Sequence, residues 1–553
     1  MVSQQGQSAL INVHGLAFIH AGAMDGFDDA SFVIPSGAHA ALIGDNGVGK
    51  TTLIRLLAGE LEPDDGEATI TGTVRYMPQE VGFDDPSATL RMMLGRFAPE
   101  PLDAINDRIC AAEVALEAGD LEAGMDLGDA WALWGDMGGY ELEAVWDQAC
   151  RAIVGQGFDA LAHRTVAQLS GGERKRLVLE VLFTSGVDVL LLDEPDNYLD
   201  IPAKLRLQEQ IRDSSQTILM ISHDRDLLSG APDRVITLEG RGAWVHHGTY
   251  ATYEEAFENR QESLGDELQR WEDEEKRLRD FVRILKERAR YSPVFAKKAN
   301  AAESRLKRFV AQGPPPPPSS EQTVSMALRG RGSGKRMLKL EGLGIPGLVE
   351  TFSDEVHHGE RIGLIGPNGT GKTHLIRALA SDPTSEHEGQ VTHGARVEAG
   401  YFAQVTDHTE LVGKTPLAIV RQYIGNEQRA RATLARYGLA TNVRQEYETL
   451  SGGQKARLEI LTLELTGVNL LLLDEPTDNL DLASAAALET ALDGYDGAVL
   501  AVSHDRAFLR SLDRFLHIGE DGRVHSLSDY EAAMIALVNG VDEVGKASAR
   551  LLS

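Results

Sequence analysis

The chain has 553 residues, a formal net charge of −30 and 42% apolar side chains, enough for about three or four domains that each bury a core. Its two cysteines, Cys110 and Cys150, are too few for a disulfide framework and lack metal-ligand spacing, so we expect reduced thiols. The chain contains no apolar run near the ~18 residues that cross a bilayer, and its first residues do not resemble a signal peptide. These features exclude a membrane-embedded or secreted protein and predict a cytoplasmic one.

A phosphate-binding loop is predicted early in the chain. The strand-like segment ASFVIPSGAHAALIG runs directly into GDNGVGKT at 44–51, which fits G-x-x-x-x-G-K-[ST] and opens a helical pattern. Glycines let such a loop approach phosphates, its lysine reaches the terminal phosphates, and its hydroxyl ligates Mg²⁺. We therefore assign phosphate contacts to Gly44, Asn46, Gly47, Gly49, Lys50, Thr51 and Thr52.

Four further motifs follow the loop in a fixed order. The segment VRYMPQE places Gln79 after a predicted strand, and LSGGERKR spans 169–176. The segment DVLLLDEPDNYLD spans 188–200, and LMISHDR places His223 after another strand. Within this series, residues 101–150 carry twelve acidic side chains and one basic side chain, Arg108, which argues against direct nucleic-acid contact there.

A charged helical hairpin is predicted from Glu262 to Phe309, with its tip at 288–294. Two apolar stripes at helical spacing define it: Leu264, Leu268, Trp271, Leu278, Val282 and Leu285, then Phe295, Ala299, Ala302, Leu306 and Phe309. Residues 275–309 hold twelve Lys or Arg against four acidic residues, a net charge of +8. This charge is compatible with an ordinary solvated helix pair or with a polyanionic partner. Five prolines at 314–318 then predict a stiff spacer of about 15 Å.

The second half of the chain repeats the first series. The loop GPNGTGKTH predicts phosphate contacts at Gly366, Asn368, Gly369, Gly371, Lys372, Thr373 and His374. It is followed by Gln404 in GYFAQ, LSGGQKAR from Leu450, NLLLLDEPTDNLD at 469–481, and His504 in AVSHDR. The signature serine precedes the strand-end aspartate by 23 positions in both copies, and the histidine follows that aspartate by 30 in both. The chain therefore contains an internal duplication.

One interval differs between the copies. Leu169 follows Gln79 by 90 positions, whereas Leu450 follows Gln404 by 46. The first half thus carries an insertion of about 44 residues within about 85–149. Its helical patterns are compatible with an arm for a protein partner or with an enlarged helical subdomain.

These motifs closely resemble those of the ATP-binding cassette ATPases, over roughly residues 8–255 and 336–530. The resemblance implies an α/β fold: two tandem cassettes, each an α/β P-loop core plus a helical subdomain. It also implies intramolecular head-to-tail pairing, so that the signature of one half closes over the ATP of the other. The signature residues concerned are Ser170, Gly171, Gly172, Ser451, Gly452 and Gly453.

The resemblance also implies roles in two Mg²⁺-dependent sites of ATP hydrolysis. Asp193 and Asp474 would hold Mg²⁺ together with Thr51, Thr373, Gln79 and Gln404. Glu194 and Glu475 would polarise the attacking water, and His223 and His504 would sense the γ-phosphate.

Three departures reduce the symmetry of the two sites. Asp196 and Tyr198 stand where the second copy has Thr477 and Asn479, and His374 replaces Thr52. The family stacks an aromatic side chain on adenine. His20 or Phe18 would serve in the first half, whereas no aromatic residue lies between Leu338 and Thr351 in the second.

The order of cassette, charged helical linker and cassette resembles the ABC-F family, whose members bind the ribosome. This predicts that the linker, 256–335, enters the tRNA exit site near the peptidyl-transferase centre, with rRNA or tRNA contacts at Arg288, Arg290, Tyr291, Lys297 and Lys298. We expect a monomer that regulates translation or protects it from antibiotics, with 531–553 as a short tail. Alternatives are the ATPase subunit of an exporter with separate membrane subunits, or a DNA-repair ATPase; the latter is disfavoured because such cassettes are split by much longer coiled coils or zinc modules.

Overall fold

The computed structural model describes residues 9–19, 26–82, 85, 87–239, 242–291, 293–318, 324–330, 332–403 and 411–544. Two compact bodies share the chain. The first comprises Met1–Val245 and Thr323–Ser553, and the second comprises His246–Gln322. In the described part of the chain, no helix is both long and apolar enough to span a membrane.

The first half of the larger body is built on one twisted sheet. Its order is β4-β1-β2-β9-β8-β3-β7-β6-β5, with parallel pairing from β8 to β5 and antiparallel pairing among β4, β1 and β2. The strands are β1 Ala9–Ile19, β2 Gly26–Pro35, β3 His39–Ile43, β4 Asp65–Ile70, β5 Val74–Met77, β6 Val189–Asp193, β7 Thr217–Ile221, β8 Arg234–Glu239 and β9 Gly242–His247. Strands β3, β6 and β7 are buried along their whole length, which explains their unbroken apolar sequence.

Helices cover this sheet and form a separate subdomain. They are α1 Lys50–Leu57, α2 Leu90–Gly95, α3 Leu102–Glu117, α4 Ala123–Asp136, α5 Gly139–Val154, α6 Phe158–Leu161, α7 Gly171–Thr184, α8 Ile201–Asp213 and α9 Arg225–Gly230. The acidic insertion supplies α3, α4 and α5. Trp146 of α5 packs against Trp134 and Phe158 at ring-centroid distances of 6.0 and 5.1 Å, and α5 packs on α7. Of the two interpretations of the insertion, the packing therefore supports an enlarged helical subdomain.

Both cysteines are free and lie within this helical subdomain. Burial raises the pKa of the Cys110 thiol to about 11 and that of Cys150 to about 12. Both side chains are therefore protonated at neutral pH and act as small apolar groups.

The smaller body is a hairpin of α10 Tyr250–Ala289 and α11 Pro293–Ala311. The predicted stripes meet: Val282, Leu285, Ala299 and Ala302 form a buried cluster, and the Trp271 and Phe309 rings stack at 5.3 Å. The first helix begins twelve residues earlier than the predicted start at Glu262, because its first turns carry the aromatic residues Tyr250 and Tyr253 rather than the stripe used for the prediction.

The second half of the larger body repeats the cassette. Its strands are β10 Arg336–Ile345, β11 Val349–His357, β12 Arg361–Ile365, β13 Glu388–His393, β14 Ala399–Phe402, β15 Leu470–Asp474, β16 Ala498–Val502, β17 Arg514–Ile518 and β18 Val524–Leu527. Its helices are α12 Lys372–Leu379, α13 Pro416–Ile424, α14 Glu427–Arg436, α15 Gly452–Thr466, α16 Leu482–Asp493, α17 Arg506–Leu509 and α18 Tyr530–Asn539. The described strands form sheets of order β14-β15-β16-β12-β17-β18 and β11-β10-β13.

The strand order places the predicted motifs together. In the first half, β3, β7, β6 and β5 are parallel neighbours. The phosphate loop follows β3 and His223 follows β7, while Asp193 ends β6 and Gln79 follows β5. Since the carboxyl ends of parallel strands share one edge of the sheet, residues far apart in sequence converge there. Strands β12, β16, β15 and β14 repeat this arrangement in the second half.

Candidate nucleotide sites

Each phosphate-binding loop holds its lysine in the same way. Lys50 Nζ donates to the carbonyl oxygens of Gly44 at 2.7 Å and Asp45 at 3.2 Å, and Lys372 Nζ donates to those of Gly366 at 2.9 Å and Pro367 at 2.8 Å. Burial lowers the pKa of both lysines. The glycines before α1 and α12 have φ of 102° and 95°, a left-handed conformation that glycine adopts without strain.

A cavity of about 320 Å³ lies at the first loop. Its walls include Phe18, Phe27, Thr52 and Glu194, as well as Asn46, Gly47, Gly49, Lys50 and Thr51 of the loop. Phe18, one of the two residues predicted to stack on adenine, therefore faces the predicted nucleotide. The other, His20, lies outside the described residues.

The second loop has aliphatic side chains where the first has an aromatic ring. A Cβ atom built on Gly49 would lie 3.2 Å from Phe27 Cδ1, whereas one built on Gly371 would lie 3.0 Å from Leu348 Cβ and 3.1 Å from Val349 Cγ2. Leu348 and Val349 therefore border the second loop where Phe27 borders the first.

The side chains predicted to hold Mg²⁺ include a hydroxyl and a carboxylate, both of which are oxygen ligands. Thr373 Oγ1 donates to Asp474 Oδ1 at 3.3 Å, and the buried Oδ2 of Asp474 has no hydrogen-bond partner among the described groups. Burial raises the pKa of both Asp193 and Asp474, a shift that a nearby cation would oppose. The described residues contain no cluster of three or more His, Cys, Asp or Glu that could hold a metal by itself. One hydroxyl and one carboxylate suit Mg²⁺, which takes its other ligands from phosphate and water.

The two glutamates predicted to activate water have different hydrogen-bond partners. Glu194 Oε2 accepts from Gln79 Nε2 at 2.6 Å and from the Asn197 amide. Glu475 Oε2 instead accepts the backbone N–H of His504 at 3.0 Å. Gln404, the predicted counterpart of Gln79, lies outside the described residues. Both glutamates have positive φ, 48° and 50°, which marks a strained and sharply turned backbone at each site.

The histidines predicted to sense the γ-phosphate lie beside these glutamates. His223 Nε2 is 3.8 Å from Glu194 Oε1, and His504 Nε2 is 3.6 Å from Glu475 Oε1. Burial, followed by the nearby Lys50 charge, lowers the pKa of His223 to about 4. Burial, followed by Lys372, also lowers the pKa of His504 well below its usual range. Both imidazoles are therefore neutral at pH 7, and each carries one N–H that can be donated to a phosphate oxygen.

The signature motifs begin helices α7 and α15. Ser170 and Ser451 cap these helices, and each forms a capping box with the residue three positions later, Glu173 or Gln454. The two glycines after each serine occupy the first turn, where backbone N–H groups point outward and attract anions. Each signature therefore presents an anion-binding helix end.

These helix ends face the phosphate loop of the opposite half. A Cβ atom built on Gly453 would lie 3.3 Å from Asn46 Nδ2, and one built on Gly172 would lie 3.6 Å from Asn368 Nδ2. Asn368 Nδ2 also donates to the Tyr198 carbonyl oxygen at 3.1 Å. The halves are therefore paired head-to-tail, and each site combines one phosphate loop with the other half's signature.

The contacts that hold the halves together beyond the signatures were not predicted. Arg225 forms an ion pair with Glu489 of the other half. Arg506, at the equivalent position, donates to Gln208 Oε1 at 3.0 Å and to Asp224 Oδ1 at 3.3 Å. Both arginines belong to the repeated SHDR motif, so the duplication carried a signal for them.

Comparison with known proteins agrees with this geometry. A family model described as "ABC transporter" matches residues 27–197 and 349–478, and a second model with the same description matches 236–326. An "Antibiotic resistance protein" of Mycobacteroides abscessus is 43% identical over 90% of this chain and 95% of its own length. The "Tylosin resistance ATP-binding protein TlrC" of Streptomyces fradiae is 32% identical over 86% of this chain and 91% of its own length.

A solved structure shares the tandem fold. It is titled as the complex of an archaeal ribosomal stalk protein with the archaeal ribosome recycling factor aABCE1. The match has a TM-score of 0.60 and 18% identity, and it covers 95% of this chain and 92% of the other. The chain contains tandem cassettes paired head-to-tail, and both the family models and the relatives match it along most of its length. It is therefore an ATP-hydrolysing member of the ABC-F family.

Proposed function

We propose that this ATPase binds the ribosome through the tip of its interdomain hairpin and protects translation from ribosome-targeting antibiotics. The hairpin would enter the tRNA exit site and approach the peptidyl-transferase centre. The observation that carries the proposal is the distribution of unpaired positive charge in the hairpin. The names of the two relatives, which refer to antibiotic and tylosin resistance, support the choice of protection over general regulation.

Most basic side chains in the body of the hairpin lie within 4 Å of a carboxylate, but Lys276 and Arg308 have no such partner among the described residues. Arg277 pairs with Glu274 at 2.8 Å, Arg279 with Glu275 at 2.8 Å, and Lys286 with Glu303 at 3.0 Å. Such exposed pairs contribute little to stability, but they reduce the local field. This part of the hairpin has ordinary surface electrostatics.

The tip differs from the body. Four exposed cations, Arg288, Arg290, Lys297 and Lys298, have no carboxylate within 4 Å among the described residues. Tyr291 lies among them with its side chain 90% exposed. Arg288 and Lys298 also lie over the Phe295 ring, at 6.0 and 5.6 Å from its centroid. Exposed cations without a carboxylate partner, close in sequence to an exposed tyrosine, suit RNA, since phosphates attract the cations and an unstacked base can lie on the ring.

The length of the hairpin suits insertion into a deep site. Trp271 packs on Phe309 at the base of the paired region, which then runs about 19 residues to the tip. At ~1.5 Å per residue this corresponds to about 28 Å. A simple tether between two cassettes needs no such element, which disfavours the exporter alternative.

ATP would control this binding through the cassettes. Closure with Mg²⁺-ATP at both composite sites would favour the ribosome-bound state, and hydrolysis would release it. Thr51, Asp193 and Gln79 would hold Mg²⁺ at the first site, and Thr373, Asp474 and Gln404 at the second. We infer that one chain forms both sites and acts as a monomer in the cytoplasm.

Co-sedimentation with 70S ribosomes tests the proposal. The Glu194→Gln/Glu475→Gln variant with ATP should pellet with ribosomes, whereas the wild type with ADP should not. Removing the tip cations by Arg288→Ala, Arg290→Ala, Lys297→Ala and Lys298→Ala should abolish pelleting. The matched control removes four basic residues from the hairpin body: Arg277→Ala, Arg279→Ala, Arg283→Ala and Lys307→Ala. Equal losses in both variants would contradict binding through the tip.

Drug susceptibility tests the protective role. Expression in a susceptible host should raise the inhibitory concentration of tylosin or of another macrolide, lincosamide, streptogramin, pleuromutilin or phenicol. The tip variant should not. An unchanged spectrum with intact ribosome binding would exclude protection and support a regulatory role instead.

A further inference from the structure

A row of buried charges runs from the first catalytic glutamate to the opposite cassette. Its members are Lys175, Asp196, Lys204, Asp224 and Arg506, which are 1, 4, 8, 5 and 5% exposed. We refer to these five residues as the ion row. The first four belong to the first half and Arg506 to the second.

Direct contacts hold the two ends of the row, and Asp196 lies between them without an ion pair. Lys175 Nζ donates to the backbone carbonyl of Glu194. Asp196 is attracted electrostatically by Lys204 and Lys175, but no lysine nitrogen lies within 4 Å of its carboxylate in the described structure, and its buried Oδ1 has no hydrogen-bond partner there. Lys204 Nζ lies 3.2 Å from Asp224 Oδ2, and Arg506 Nη2 lies 3.3 Å from Asp224 Oδ1.

The second cassette lacks the middle of this row. Positions in the two copies correspond with an offset of 281, so Ala456, Thr477 and Ala485 stand where the first has Lys175, Asp196 and Lys204. The ends are retained, since Asp505 and Arg225 form the mirror-image pair at 3.9 Å. The same loops therefore fold in the second copy with three neutral side chains. Because buried charges are costly, the fold alone does not explain the charged residues of the first copy.

The groups that contact Glu194 and Glu475 also differ between the two copies. Lys175 holds the backbone of Glu194, while the carboxylate accepts from Gln79 and Asn197. No lysine stands at position 456, and the Glu475 carboxylate turns to the backbone N–H of His504. Because hydrogen bonds fix both the backbone and the carboxylate of Glu194, its position relative to a water on the γ-phosphate should vary little.

We propose that Lys175, Asp196 and Lys204 are positioning residues that fix Glu194, so that the first ATP site hydrolyses faster than the second. Lys175 holds the glutamate, Asp196 balances the charge of Lys175, and Lys204 connects Asp196 to Asp224 at the cassette interface. The proposal concerns ATP hydrolysis and does not depend on the ribosome.

Two inactivating backgrounds separate the sites. Glu475→Gln leaves the first site active, and Glu194→Gln leaves the second. With full-length protein and Mg²⁺-ATP, we expect a higher kcat in the Glu475→Gln background. Equal or reversed rates would overturn the proposal.

The triple variant Lys175→Ala/Asp196→Thr/Lys204→Ala gives the first copy the residues of the second and leaves the Asp224–Arg506 pair in place. In the Glu475→Gln background, kcat should fall about tenfold or more with KM nearly unchanged. In the Glu194→Gln background, kcat should change less than about twofold. An equal fall of kcat in both backgrounds would mean that the ion row only stabilises the interface between the halves. No fall in either background would mean that the ion row does not position Glu194. Either outcome contradicts the proposal.

A single substitution keeps the proposal testable if the triple variant does not fold. Lys175→Met preserves the shape of the side chain but loses the donor, whereas Lys175→Arg keeps charge and donors. In the Glu475→Gln background, Lys175→Arg should retain more activity than Lys175→Met. Comparable activity of the two would contradict a role for the charge.

The pH dependence of the first site gives an independent readout. Burial lowers the pKa of Lys175 to about 8, against the opposing charges of Asp196, Glu194, Asp193 and Glu80. Loss of this proton should reduce the first-site rate above about pH 8. Lys175→Arg should remove that decline, and a decline unchanged in Lys175→Arg would count against the proposal.

Discussion

The side-chain amide of Asn368 donates a 3.1 Å hydrogen bond to the backbone carbonyl of Tyr198 in the opposite cassette. The phosphate loop of the second site is thereby joined to the loop that follows the catalytic glutamate of the first. Tyr198 has a φ of 66°, a left-handed conformation that is unusual for a large side chain. The contact between the halves is thus made by a strained backbone.

Substitutions at Tyr198 should reveal this strain. Both Tyr198→Gly and Tyr198→Ala remove the ring, but only glycine relieves the left-handed conformation. We expect Tyr198→Gly to be more stable than Tyr198→Ala by about 1 kcal/mol, measured by thermal unfolding. Because the acceptor for Asn368 is a backbone carbonyl, both variants should retain second-site hydrolysis. A more stable alanine variant would show that the conformation carries no strain.

Replacing the catalytic glutamates should block hydrolysis without preventing binding. A positioned general base contributes about 10²- to 10⁴-fold to a rate. The Glu194→Gln/Glu475→Gln variant should therefore lose at least about 100-fold in steady-state phosphate release. Its affinity for ATP, measured by equilibrium titration, should remain within a few-fold of wild type. Residual hydrolysis near the wild-type rate would mean that another group activates the water.

The two equivalent interface arginines should differ in their importance. The Arg506 side chain is buried and contacts the buried Asp224, whereas the Arg225 side chain is 20% exposed. Truncating a buried ion pair costs about 3 kcal/mol or more, whereas a partly exposed pair contributes about 1 kcal/mol. Arg506→Ala should therefore lower the melting temperature more than Arg225→Ala. Equal effects in the same thermal scans would contradict this ranking.

The switch histidines should make stability depend on pH. Folding lowers the pKa of His223 to about 4, from about 6.5 in an unfolded chain, so the unfolded state binds more protons between these values. Stability from the neutral histidine is complete above about pH 6.5 and is lost as the pH falls toward 4. Each histidine contributes up to about 1.4 kcal/mol per pH unit in this window.

The difference between variants isolates this effect from that of the carboxylates. The melting temperature of wild type should fall more steeply between pH 6.5 and 5 than that of His223→Gln/His504→Gln. His14, an exposed residue of β1, provides the matched control, and His14→Gln should behave as wild type. Parallel curves for wild type and the double variant would show that the histidines do not titrate abnormally.

Sequence alone predicted much of the fold. The repeated motifs and their equal spacings identified two cassettes, and the apolar stripes identified two helices that pack as predicted in the hairpin. Local patterns work here because strands buried on both faces are continuously apolar and helix faces repeat every three or four residues. The start of α10 was missed because the aromatic residues at its beginning lie outside the stripe.

The sequence by itself determined that the chain contains two cassettes, and its duplicated motifs predict the residues of both ATP sites, because phosphate chemistry restricts which residue types can stand at those positions. The sequence also shows that Asp196 stands where the second copy has Thr477, but only the tertiary structure places Asp196 in a row of buried charges. The buried row from Lys175 to Arg506 joins residues as far as 331 positions apart, and no local pattern distinguishes a lysine under a catalytic loop from one on the surface. The same holds for Arg288 and Arg290: composition gives their charge, but only the packed hairpin separates them from the carboxylates that neutralise their neighbours.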